Sequence, residues 1–179
     1  MPRLEPILEK LDRAQHSLLR AADAIPGNLW RTCPRQGAWS AAELIAHVMT
    51  VERAVVAAAD RILKKQPKHT PVLKRFRLSF AFVEVRVIRL KTPIPLDPNL
   101  LREKDTMLAE LREVRGGTLA LIEETRNRDL SAYRWHHPFL GSLNAYDWFS
   151  LLGSHQIRHE KQMREIAAAL PKPISNSQK

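Results

Sequence analysis

The 179-residue sequence predicts an all-α fold: a four-helix bundle of long antiparallel helices, with an additional helix in the crossover between helices 2 and 3. Three observations lead there. Apolar residues recur at a 3.6-residue period in four long stretches, capping signals stand at the head of two of them, and no convincing strand set or internal repeat competes.

The first helix spans about residues 2 to 25, with Leu4, Ile7, Leu8, Leu11, Leu18, Leu19 and Ala22 on one arc, and Pro26 and Gly27 end it. A loop over 26 to 39 leads to Ser40, which with Glu43 forms an S-x-x-E capping box. The second helix runs from there to about Lys65, with Leu44, Val48, Val51, Val55, Ala58 and Ile62 inward and His47 at the edge of their arc. Between 72 and 90, a helical seam of Leu73, Phe76, Phe80, Val83, Val87 and Leu90 competes with a β-branched, aromatic composition, and the seam favours helix. Pro93, Pro95 and Pro98 make a stiff connector. Leu101, Leu108, Leu111, Leu119 and Ile122 then mark the third long helix, to about Arg126, weakened in its middle by Gly116 and Gly117. A loop over 129 to 143 precedes Asn144 and Asp147, which cap a helix reaching Leu170. Residues 1–170 read as one domain and 171–179 as a polar tail.

Composition narrows the function classes. No apolar run approaches the roughly 20 residues of a membrane helix. The charged, helical start MPRLEPILEKLDRAQ lacks the apolar stretch of a secretory signal. One cysteine, Cys33, cannot form an internal disulfide, so a cytoplasmic location is the expectation. The net charge of +10 is concentrated between Lys64 and Lys91, where nine Lys and Arg face a single acid, Glu84. That segment carries no recognisable DNA-binding motif, which disfavours a nucleic-acid partner.

The chemistry concentrates in GSHQIRHEKQ, residues 153–162. His155 and His159 fall inside the apolar stripe of the last helix with Trp148, Leu151, Leu152, Met163, Ile166 and Leu170, as does Gln162. Buried imidazoles need partners. An isolated H-x-x-x-H is more often a hydrogen-bonded core pair than a ligand pair, but His47 is a third inward histidine and changes that weighing. If the three meet, neutral nitrogen donors suit zinc, nickel, copper or ferrous iron, and three protein ligands leave positions open for substrate. No E-x-x-H and no H-E-x-x-H occurs, so the di-iron and metalloprotease patterns do not apply. His16, His69, His136 and His137 are left out as outward or loop residues, and Cys33 reads as structural. Arg112 and Arg115 lie on the inner side of the third long helix, either binding a substrate carboxylate or reaching out to solvent. Gln162 either orients a ligand histidine or lies at the core's rim.

WSAAELIAHVMTVE at 39–52 and HPFLGSLNAYDWFSLLGSHQIRHEKQ at 137–162 resemble, in motif, order and spacing, the DinB-like superfamily of bacterial four-helix-bundle metalloproteins. Trp39, Ser40 and Glu43 match the start of the family's second helix, and segment 70–100 follows its pattern least. The resemblance implies a metal triad of His47, His155 and His159, zinc or nickel foremost and iron next. It implies a homodimer and a small-molecule substrate, and, from relatives that use bacillithiol, mycothiol or glutathione, a thiol S-transferase with a low-molecular-weight thiol as cosubstrate. A metal-dependent hydrolase, or a metal-binding or stress-related protein without catalysis, is the alternative. In the enzyme reading, a thiol coordinated at the open position loses its proton and becomes a nucleophile at neutral pH.

Overall fold

The computed structural model describes residues 4–66, 80–84 and 98–171, and within them four long helices form where the periodicity predicts. They are α1 (Glu5–Asp23), α2 (Ala41–Leu63), α4 (Lys104–Glu124) and α5 (Ala145–Ala169), with one helical turn, α3 (Ala81–Glu84), in the crossover. The rest of the expected 72–90 helix, most of the basic segment and residues 172–179 lie outside the described residues. The bundle is all-α in its architecture, and no described helix is long and apolar enough to cross a membrane.

Both capping boxes are present. Ser40 Oγ accepts from the Glu43 amide at 3.2 Å while Glu43 Oε2 accepts from the Ser40 amide at 2.7 Å. Asn144 and Asp147 repeat the exchange at 2.9 and 3.3 Å, so α2 and α5 start at fixed residues.

The buried apolar residues fall into two lobes. One gathers Leu18 and Ala22 of α1 with Ile25 just past its end, Leu44, Ile45 and Met49 of α2, Met107 and Leu111 of α4, and Met163 and Ile166 of α5. The other gathers Ile7 and Leu11, Val55 and Leu63, Leu121 and Ile122, and Phe149 and Leu152 of the same four helices. The halves sharing a lobe give the helix directions: α1/α2 and α4/α5 are antiparallel, whereas α2 and α4 run the same way. The long crossover permits this, and it sharpens the antiparallel expectation. Between the lobes each long helix has a middle stretch outside both, and there lie Glu52, Arg115, Thr118, Ser154, Gln156, His159 and Glu160, all buried. The bundle has a polar waist.

Three sequence expectations need correction. The loop 129–143 contains a hairpin, β1 (Arg134–His137) paired antiparallel with β2 (Gly141–Asn144) in the register His137 to Gly141. Gly141 turns it at φ +73°, and Trp135 stacks on Trp148 at 5.0 Å, which anchors it to α5. In α2 the buried positions of the second half are Val55, Ala59 and Leu63, while Val51, Ala58 and Ile62 are half-buried. In α4 Leu119 is exposed and Arg112 faces solvent, because the inward positions between Leu111 and Ile122 hold Arg115, Thr118 and Leu121.

Candidate metal centre

His47 lies seven residues past the Ser40 cap, about 10 Å along α2, on the side that meets α5. His155 and His159 share one face of α5 and meet it there. The three side chains offer one nitrogen each, all within 4.8 Å of one another. The Nε2 atoms of His155 and His159 are 3.1 Å apart, and the ring of His47 stands 5.2 and 4.9 Å from theirs, centroid to centroid. His47 and His159 are buried and His155 is half-buried.

Burial governs their protonation. It pushes His47 down to about 4, and it pushes His155 down to about 3, helped by repulsion from His47, Arg158 and His137. His159 is held well below the usual imidazole range by burial and then by His155 and His47. All three are neutral at pH 7 and keep a lone pair to give. The Gln162 carbonyl, 3.0 Å from His159 Nδ1, accepts that N–H and leaves Nε2 as the acceptor nitrogen, facing His155 Nε2 at 3.1 Å.

Trp39, immediately before the α2 cap, closes one side of the cluster. Its ring lies nearly parallel to His159 at 6.5 Å and tilted against His47 at 5.0 Å. The sequence reading gave Trp39 no such place, since an aromatic residue ahead of a cap is a common local signal.

The donor set fits a divalent transition metal. Tetrahedral nitrogens about 2.0–2.1 Å from zinc stand about 3.3 Å apart, and the His155–His159 pair is at that spacing already. Nδ1 of His47 is buried with no hydrogen-bond partner among the described residues, at a cost of about 1–3 kcal/mol. Of the four histidines left out, His16 is exposed and bonds its own helix, His69 lies outside the described residues, and His136 is exposed. His137 closes the hairpin turn by accepting the Phe139 and Leu140 amides on Nδ1. Cys33 is exposed, and partial burial together with the Glu43 carboxylate pushes its thiol up, away from an activated nucleophile.

Two further residues of the waist escaped the sequence reading in part. Arg115 neither binds solvent nor stands free: its Nη2 pairs with Glu52 at 3.0 Å, both side chains being 2% exposed. Glu52 itself was not singled out. The available signal was an acid at 52 on the apolar arc between Val48 and Val55.

An all-α bundle that draws three neutral imidazoles from two of its helices into one buried cluster defines a class of helical-bundle proteins compatible with metal binding. The chain belongs to the DinB superfamily, whose family model matches residues 10–163. It is similar to the uncharacterized protein YuaE of Bacillus subtilis (strain 168), 26% identical over 134 residues, which cover 74% of this chain and 80% of that one. No solved structure matches the chain significantly.

Proposed function

We propose that the protein is a metal-dependent enzyme that holds a divalent transition metal, zinc or nickel before iron, through His47, His155 and His159. The observation that carries this reading is the convergence of three neutral imidazole nitrogens within 4.8 Å where α2 meets α5. A bound metal would supply Lewis acidity there, lowering the pKa of a thiol into the neutral range. The chain's own residues do the rest: Gln162 holds the His159 ring in the tautomer that presents Nε2, and Trp39 shields one flank from water. The reaction is addition of a low-molecular-weight thiol to an electrophile. A C–S bond forms, and the thiol proton ends on the leaving group or on the opened electrophile. The family resemblance supports the thiol over hydrolysis, the other reaction the same Lewis acidity serves. This reading takes residues 1–170 as the catalytic domain, with 171–179 as its tail, working in the cytoplasm as a homodimer on a small-molecule substrate.

The test is metal content by inductively coupled plasma mass spectrometry on untagged protein, with His47→Ala, His155→Ala and His159→Ala beside it. Near-stoichiometric metal in the wild type, lost from each folded variant, is expected. A wild type that neither carries metal nor accepts it on reloading makes the histidines a core hydrogen-bond cluster and removes the basis for catalysis. A loaded protein inert towards bacillithiol, mycothiol and glutathione with a panel of electrophiles returns the function to metal binding alone.

A further inference from the structure

Glu52 of α2 is buried, and its carboxylate is held by donors from α4 and α5. Arg115 Nη2 at 3.0 Å and Gln156 Nε2 at 3.3 Å reach Oε2, while Thr118 Oγ1 donates to Oε1 at 2.6 Å. A buried ion pair is weak evidence for stability, because desolvation offsets most of its Coulomb gain. Its geometry is more informative.

On α2, Glu52 lies five residues past His47, about 7.5 Å along the axis. On α5, Gln156 lies between His155 and His159, in the turn that presents both rings. The carboxylate is therefore rooted in the helix of one imidazole and bonded to the turn that holds the other two. From α4, Arg115 and Thr118 hold that carboxylate from a third helix, although α4 brings no imidazole of its own.

We propose that the Glu52–Arg115–Thr118–Gln156 cluster is a positioning device that fixes the register of α5 against α2 and thereby brings His155 and His159 within reach of His47. What the imidazoles then hold rests on the metal reading; their placement does not. Two variants separate these points. Glu52→Leu/Arg115→Met replaces the ion pair with apolar groups of similar volume, an exchange that buried pairs often tolerate without loss of fold. Gln156→Met removes only the link to α5. Ile25→Val, a loss of one buried methyl group from the lobe around Met49, serves as the control for stability alone.

In the metal-free proteins, imidazole 1H–15N resonances of His47, His155 and His159 are expected to shift in both variants, while those of exposed His16 and His136 and all those of Ile25→Val stay in place. Zinc affinity by chelator competition is expected to fall about 10- to 100-fold at a melting temperature close to wild type, with a shifted visible spectrum of the cobalt-substituted protein. Folded variants that keep wild-type imidazole resonances overturn the proposal, and so does a control that moves them equally. A wild type that takes up no zinc sinks the metal reading instead, and the metal-free resonances still decide the positioning.

Discussion

The middle of this bundle holds two polar clusters, the imidazoles of α2 and α5 and the Glu52 group drawn from α2, α4 and α5, and they meet the cost of burial in different ways. The Glu52 cluster is charged, and its carboxylate is matched by Arg115 Nη2 with Thr118 and Gln156 adding donors, while Arg115 Nε and Nη1 and Gln156 Oε1 have no hydrogen-bond partner among the described residues. The histidine cluster is neutral, pushed so by burial, and its three basic nitrogens face one another with Gln162 as a hydrogen-bond partner outside the triad. A charge in a dry interior must be matched at once, whereas a neutral lone pair can wait for a guest. The first cluster is suited to holding helices together and the second to holding something else.

The widest separation between the two comes from deleting one member of each. Glu52→Ala leaves the Arg115 guanidinium buried and unpaired and is expected to cost about 3–5 kcal/mol in urea unfolding. His47→Ala in metal-free protein should cost clearly less, since it also removes a buried unpartnered nitrogen. Equal losses would erase the distinction.

Acid should act on the histidines first. Unfolded imidazoles bind protons near pH 6.5, whereas His47 resists to about 4 and His155 to about 3 in the folded chain, so the unfolded state binds more protons in between. Stability of the metal-free protein is therefore present above pH 6.5 and lost as pH falls through that window. Urea midpoints taken from pH 7.5 to 4 should show the slope, and a His47→Gln/His155→Gln/His159→Gln variant should flatten it.

Gln162→Leu removes the acceptor that sets the His159 tautomer and is expected to weaken zinc binding by about tenfold while leaving the melting temperature nearly unchanged. Chelator competition and a thermal melt on the same sample check both parts. The smallest effect belongs to the frame: Ser40→Ala breaks the capping box ahead of His47 and should cost about 1 kcal/mol by thermal unfolding, with zinc affinity falling less than in Gln162→Leu.

Much of this molecule was legible from local pattern. The helix stripes and both capping boxes depend on residues three or four apart, and the apolar residues on the wheel of α5, Trp148, Leu151, Leu152, Met163 and Ile166, with Leu170 at its C-cap, are buried. The hairpin was not legible, since each of its strands is only four residues long and depends on Trp135 finding Trp148. The apolar seam of α4 predicts Leu119 and Arg112 inward, yet Arg115 and Thr118 hold the core positions there. A polar residue on an apolar arc looks like an interruption until its partner is known.

The sequence by itself determined the four helices, the starting residues of the two that carry capping boxes, α2 and α5, and the inward placement of His47, His155 and His159, because backbone capping and 3.6-residue periodicity act within a single element. Tertiary structure alone decided that the three imidazoles share a level, that α2 and α4 run the same way, and that Glu52 meets Arg115 63 residues further along the chain. Those outcomes depend on the axial register of one helix against another, which packing sets and no local pattern encodes.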